Sequence, residues 1–151
     1  MEGRRGRHGK GDNGCIAANL YTSSQTVTIP KDATRAKVVI CSSSNGGWAL
    51  GCTAGAGAPG IVGQKFLTGL KGGQTLAVTI GAGGATGATA YPGNAGGTTS
   101  IASGSQIITT VSMTSTVATA VDINFGNLFY KYAPASGTTG FAGTVYIEWY
   151  L

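Results

Sequence analysis

Two stretches of small residues, 42–60 and 81–97, interrupt the chain and constrain its fold more than any other feature. Glycines recur in and beside them on a strict period of three. The series are Gly81, Gly84, Gly87, Gly93 and Gly96, and Gly51, Gly57, Gly60 and Gly63, with Ala90 and Ala54 at the skipped positions. A polyproline-II helix has three residues per turn, and glycine on one face lets another backbone approach closely. The spacing predicts ordered, packed segments; the alternative is that small residues in loops produce it by chance.

The segments around these stretches have the pattern of short β-strands. Eight runs rich in Val, Ile, Thr and Tyr recur at intervals of roughly ten residues, and no window shows helical periodicity with caps. They cover residues 25–29, 35–41, 61–68, 75–80, 98–101, 106–112, 123–130 and 144–150. Only 10% of the residues are charged and 42% are hydrophobic, which favours a folded domain over a disordered tail. The sequence predicts an all-β domain over residues 22–151, an antiparallel β-sandwich or jelly roll with glycine-rich loops.

Alternation of apolar and polar residues predicts which side chains face the core of this domain. The inward-facing residues are expected to be Val27 and Ile29, then Leu76, Val78 and Ile80, and finally Val145, Ile147 and Trp149. The run Val-Val-Ile at 38–40 does not alternate, which predicts a strand buried on both faces.

Positive charge is concentrated at the start of the chain. Residues 1–10 carry four basic side chains against Glu2, a net charge of +3 out of +5 for the whole chain. The candidate binding residues of this arm, taken as residues 1–21, are Arg4, Arg5, Arg7, His8 and Lys10. A basic arm on a nearly neutral domain predicts attachment to an acidic protein surface or to nucleic acid phosphate. The alternative is a solvated, flexible start of the chain. The basic segment 3–11 contains no aromatic residue, which argues against base stacking.

The residues that carry catalysis or bind metals are scarce. The only histidine is His8, and no spacing of Asp or Glu suggests a carboxylate pair. The three cysteines, Cys15, Cys41 and Cys52, match no zinc pattern, and their odd number argues against a secreted disulfide framework. We expect buried thiols in a reducing cytosol, with a Cys41–Cys52 bridge as the alternative. The sequence predicts no enzyme, no cofactor and, without an apolar run of about 18 residues, no membrane insertion.

Two aromatic residues, Trp48 and Tyr91, lie inside the small-residue stretches. An aromatic side chain in such a loop is a candidate contact for a sugar or a protein. The alternative is that each side chain covers its own loop against the sandwich.

The order of segments resembles the glycine-rich domain of bacteriophage virion proteins, most often found in tail fibres and other appendages. The resemblance covers TVTIPKDATRAKVVI (26–40), GTVYIEWY (143–150) and the glycine-rich segments between them. Its most specific part is LKGGQTLAVTIGAGG (70–84) followed by GNAGGTTS (93–100). In that family the domain usually ends a longer fibre protein, whereas here only residues 1–21 remain for attachment.

The resemblance implies a structural protein of the virion, made in the host cytoplasm. With an arm as its only attachment segment, the chain is expected to decorate or cement the capsid exterior. Its partners would be the major capsid protein or other virion proteins and further copies of itself, with a trimer favoured. One alternative is a short tail fibre or receptor-binding tip whose loops at 42–60 and 81–97 contact a host surface receptor. Another is a small coat protein whose arm binds nucleic acid, a partner that the sequence makes unlikely.

Overall fold

The chain folds into two antiparallel sheets of five strands each, and the described residues contain no helix. A computed structural model describes residues 14–50, 53–55, 57–87, 93–127 and 138–151, without the side chains of 48–50 and 53–55. The strands are β1 (Cys15–Tyr21), β2 (Gln25–Thr28), β3 (Arg35–Cys41), β4 (Trp48–Leu50), β5 (Thr53–Gly55), β6 (Val62–Leu67), β7 (Thr75–Thr79), β8 (Thr99–Ser103), β9 (Val111–Met113), β10 (Ala118–Thr119), β11 (Ile123–Gly126) and β12 (Thr144–Tyr150).

Neighbours in space are often distant in sequence. Sheet A has the order β1-β12-β3-β6-β11, and sheet B has the order β10-β9-β8-β7-β2, while β4 and β5 form a separate hairpin. The last strand, β12, lies between the first strand and β3 and pairs with both along its length. Sheet B is mostly a meander of consecutive strands, because β7, β8, β9 and β10 pair in order. The all-β antiparallel part of the prediction is therefore confirmed.

The core lies between the two sheets and follows the predicted alternation. In β12 the side chains of Val145, Ile147 and Trp149 are all at most 1% exposed, because strand residues two apart share a face. Leu76 and Val78 of β7 meet them from sheet B. Val27 and Ile29 are also buried, and Ile80 is half-buried against the same cluster.

The run 38–40 differs from the prediction of burial on both faces. Val38 and Ile40 are buried between the sheets, whereas Val39 points to the outer face of sheet A and is half-buried. The hydrophobic run therefore predicted more burial of β3 than the structure shows. The outer face of this strand is accessible in the described structure.

Four strands were missed by the sequence patterns. Cys15–Tyr21, which the sequence placed in the arm, is a full strand of sheet A, so the sandwich includes these residues. Strands β4, β5 and β10 are only two or three residues long, which is too short for alternation to be recognised. The run 106–112 is a strand only at its end, in β9. Residues 128–130 of the run 123–130 lie outside the described residues.

Two of the three cysteines can be placed. Cys15 and Cys41 are both free thiols, so Cys41 does not form the alternative bridge. The prediction of burial is wrong for Cys15, which is exposed on the edge strand β1. Cys41 is half-buried on sheet A, and this burial raises the pKa of its thiol. Cys52 lies outside the described residues.

Candidate functional site

One end of the sandwich is closed by glycine-rich segments that lie side by side. We call these segments, residues 42–47, 57–60, 81–87, 93–98 and 138–143, the glycine bundle. Segment 42–47 continues directly from β3 and is buried along its whole length. Backbone hydrogen bonds join it to the others, from Gly46 N to Asn94 O (3.0 Å) and from Gly47 N to Thr138 O (2.7 Å). The bundle is therefore held by backbone pairing without being a sheet.

Glycine is needed in the bundle because the segments touch backbone to backbone. A Cβ built on Gly60 would lie 2.5 Å from the Ser42 carbonyl oxygen. Cβ atoms on Gly57 and Gly84 would overlap the carbonyl oxygens of Asn45 and Asn94. Real Cβ atoms do not approach so closely, and only glycine permits this distance between chains. Gly81, Gly84, Gly93 and Gly96 of the three-residue period all face another backbone, and so does Gly83, which lies off the period.

Three buried serines link the central segment to its neighbours. The Ser42 hydroxyl accepts a hydrogen bond from Ile61 N (2.9 Å). The Ser43 hydroxyl donates to Gly97 O, and the Ser44 hydroxyl accepts from Phe141 N (2.7 Å). These side chains satisfy buried backbone groups that would otherwise lose their hydrogen bonds to water. This role was not predicted, because serine in a stretch of small residues is also ordinary in a solvated loop.

An apolar concavity lies where the bundle meets the outer face of sheet A. It has a volume of about 380 Å³ and is lined by Val39 and Cys41 of β3, Val62 of β6, and Phe141 and Thr144 near the start of β12. Phe141 is 53% exposed and forms part of its rim. The sequence analysis missed this feature, although the alternation that sends Val38 and Ile40 inward also sends Val39 outward. An exposed concave apolar surface of this kind suits a protein or ligand contact better than solvent.

Next to the concavity, the outer face of sheet A carries a polar cluster centred on Glu148. Its carboxylate accepts hydrogen bonds from the hydroxyls of Tyr146 (3.0 Å) and Tyr150, and Lys37 Nζ lies 3.2 Å from it. The Tyr150 hydroxyl is the largest cause that lowers the pKa of Glu148 below its usual value. The same hydrogen bond raises the pKa of Tyr150 to about 12. The cluster is internally paired and orders this face of the sheet.

A second ion pair fixes the far side of the same sheet. Asp122 accepts from Phe66 N (2.7 Å) and from Lys65 Nζ (2.9 Å). The backbone hydrogen bond from Phe66 is the first cause that lowers the pKa of this carboxyl, followed by the bond from Lys65. Phe66 itself remains 52% exposed. Asp122 therefore links β6 to the turn before β11 through these hydrogen bonds.

Most of the candidate residues named from the sequence lie outside the described residues. The arm residues Arg4, Arg5, Arg7, His8 and Lys10 lie outside the described residues, as does Tyr91. Trp48 begins β4, but its side chain is not described. Gly47 and Gly87, which precede Trp48 and Tyr91 in the chain, lie side by side, because Gly87 N donates to Gly47 O (2.9 Å). Gly93 packs against Gly46. The structure thus brings the beginnings of the two candidate contact loops to one place.

The described residues offer no cluster of three His, Cys, Asp or Glu side chains that could hold a metal ion. Within the same residues there is no helix long and apolar enough to span a membrane. Comparison with protein-family models and with curated proteins gave no match to this chain.

Proposed function

We propose that this chain is a non-enzymatic structural protein of a bacteriophage virion that decorates or cements the capsid exterior. One observation carries the proposal. The two segments on which the family resemblance rests, 70–84 and 93–100, pack against each other through Gly97 N to Ala82 O (2.8 Å) and through the contact of Gly84 with Asn94. The resemblance therefore lies in residues that form one structural unit, which supports a shared architecture.

The chemistry of the described surface is consistent with a role in assembly. The acidic side chains Asp122 and Glu148 are both paired with lysines and backbone or tyrosine donors, which suits side chains that order a surface. The exposed apolar concavity at Val39 and Phe141 offers a contact for another virion protein. The jelly-roll assignment with glycine-rich loops, and self-association of the chain, belong to the same proposal.

The basic arm supplies the attachment in this proposal. Arg4, Arg5 and Arg7 present guanidinium groups that bind carboxylates in a bidentate manner, which suits an acidic capsid surface. The arm joins the sandwich at Gly14, beside the first residue of β1. Removing residues 2–12 leaves the strand intact, so loss of binding can be separated from loss of folding.

The copy number of the chain in purified particles is the first test. Quantitative mass spectrometry should find it at the same order as the major capsid protein, and a handful of copies or none would refute decoration. Deletion of residues 2–12 should abolish binding of the folded domain to undecorated capsids. The matched control is the double variant Lys31→Gln, Lys71→Gln, which removes two positive charges from exposed positions of the sandwich and should bind normally.

A receptor-binding tip on the tail is a second candidate, favoured by one specific observation. The segments leading to Trp48 and Tyr91 start side by side at Gly47 and Gly87. Two aromatic contacts carried from one end of a rigid domain would suit recognition of a host surface. This function predicts few copies per particle and free protein that blocks adsorption. Trp48→Ala and Tyr91→Ala variants that remain folded should block adsorption more weakly.

A further inference from the structure

We propose that β1 is the site of self-association, and that two copies of the chain join through antiparallel β1–β1 pairing about a two-fold axis. The proposal specifies the self-association that forms part of the proposed function and rests on that part alone, so it is tested separately from attachment to a capsid. It starts from a difference among the edges of the two sheets. An unpaired edge strand exposes backbone N–H and C=O groups, and soluble proteins protect such edges by short strands, charges, proline or bulges.

Three of the four sheet edges are protected in this way. Strand β10 has only two residues, and β2 has four. Strand β11 also has four residues, with an irregular register between Asn124 and Gly126 and a positive φ at Gly126. None of these edges offers a long regular template for another strand.

Strand β1 has only one of these protections, a register shift near its start. It has seven residues, CIAANLY, with no charge and no proline. Its one irregularity lies between Cys15 and Ala17, so residues 17–21 pair regularly with β12. Two of its apolar side chains are exposed, Leu20 at 62% and Ile16 at 40%. Within the described part of the chain, no strand pairs with its outer edge.

A second copy of β1 fits this edge in both shape and charge. A two-fold axis at Asn19 pairs the regular residues 17–21 of the two copies, with Leu20 of each copy opposite Ala18 of the other and the two leucines in neighbouring diagonal positions. No like charges meet, because the strand carries none. The antiparallel direction also separates the two Gly14 ends, where the basic arms begin, by about 30 Å, because Gly14 lies five residues from the axis in each copy at up to ~3.4 Å per residue. This exceeds the Debye length of about 8 Å at physiological salt, whereas parallel pairing would set the arms side by side.

The interface lies at the small end for specific protein contacts, so we expect a dimer with a micromolar dissociation constant. Sedimentation of the full chain over a concentration series should show a monomer–dimer equilibrium. A purely monomeric chain, or the trimer that the family resemblance favours, would overturn the proposal.

Charge variants locate the contact. Leu20→Lys should weaken dimerisation about tenfold or more, because it places lysines in a paired edge. Ile107→Lys is the matched control, since Ile107 is 77% exposed in a loop of the other sheet and should leave dimerisation unchanged. Mixing Leu20→Lys with Leu20→Glu should restore association, because opposite charges then approach across the two-fold axis. Equal dimer dissociation constants for Leu20→Lys and Ile107→Lys, or no restored association on mixing, would contradict β1–β1 pairing.

Hydrogen exchange on the unaltered chain tests the pairing without requiring that any variant folds. The outward-facing amides of residues 17–21 should gain protection as the concentration rises. Protection that is already complete at the lowest concentration would show that the chain covers its own edge and would overturn the proposal. Exchange that is fast at every concentration would overturn it as well.

Discussion

Replacement of Gly84 by alanine tests whether backbone contact holds the glycine bundle together. A Cβ at this position would overlap the Asn94 carbonyl oxygen and would lie 2.7 Å from Gly46 N. Both obstacles are backbone atoms, so no side chain can rotate away. Gly84 N also donates to Ser44 O (2.9 Å), and Gly84 O accepts from Gly140 N (2.8 Å). Segments that move apart to admit the methyl group must stretch these bonds.

The expected cost combines three effects. Overpacking of a closed contact costs about 1–3 kcal/mol. Weakening of two hydrogen bonds adds about 0.5–1.5 kcal/mol each. The lower entropy of alanine in the unfolded chain offsets about 0.4–1 kcal/mol of this. We therefore expect Gly84→Ala to lower the free energy of unfolding by about 1–6 kcal/mol, a large part of the stability of a small domain.

Gly97→Ala is the matched control for this prediction. Gly97 is exposed on the neighbouring segment of the bundle, and the nearest atoms to its added Cβ are Ala82 N at 3.1 Å and Gly81 Cα at 3.2 Å. A shift of a few tenths of an ångström relieves this contact, so the change should stay within about 1 kcal/mol. Urea unfolding followed by far-ultraviolet circular dichroism measures both variants. Equal midpoints for Gly84→Ala and Gly97→Ala would refute the idea that close backbone approach stabilises the bundle.

Three further predictions concern the sandwich. Trp149→Ala should cost about 3–5 kcal/mol in urea unfolding, because the side chain is 1% exposed between the sheets; a loss below 1 kcal/mol would contradict this. The pKa of Glu148 is lower in the folded protein than in the unfolded chain. Its contribution to the free energy of unfolding is therefore present above the unfolded-state pKa and is lost as pH falls through the folded-state pKa. Glu148→Gln should therefore reduce the drop in urea midpoint between neutral and acidic pH, and the pKa of Tyr150 should fall from about 12 in a spectrophotometric titration. Ala120→Gly should raise the thermal midpoint, because Ala120 has a φ of 58° that glycine adopts without strain, and a lower midpoint would show that its packing matters more.

Local patterns predicted the sheets well where strands are long and alternate. In β12 the order of Val145, Ile147 and Trp149 is enough to identify both the strand and its buried face, because side chains alternate across a sheet. The same alternation failed for β1, where only Ala17 and Tyr21 are half-buried. An edge strand lacks a fully covered face, so its sequence carries little periodic signal.

The glycine period was visible in the sequence, but its partners were not. The contact of Gly57 with Asn45 and that of Gly84 with Asn94 join segments 12 and 10 residues apart, whereas Ser44 contacts Phe141 across 97 positions. No local pattern encodes which segments meet, because these contacts are made largely by backbone atoms, which every residue has. The concavity at Val39 and Val62 escaped prediction for the same reason, because it exists only once β3, β6 and the start of β12 are side by side.

The placement of β12 between β1 and β3 has a consequence for how the protein is made. Sheet A cannot close until Thr144–Tyr150 has left the ribosome, because this strand supplies the partner for both of its neighbours. The hydrogen bonds of Ser44 to Phe141 likewise wait for the end of synthesis. We expect the meander β7 to β10 to be the first part that can form its native pairs during translation, because its contacts are local. A nascent chain cut short before residue 144 would therefore keep β1 and β3 unjoined, and a protease present during translation should digest it readily.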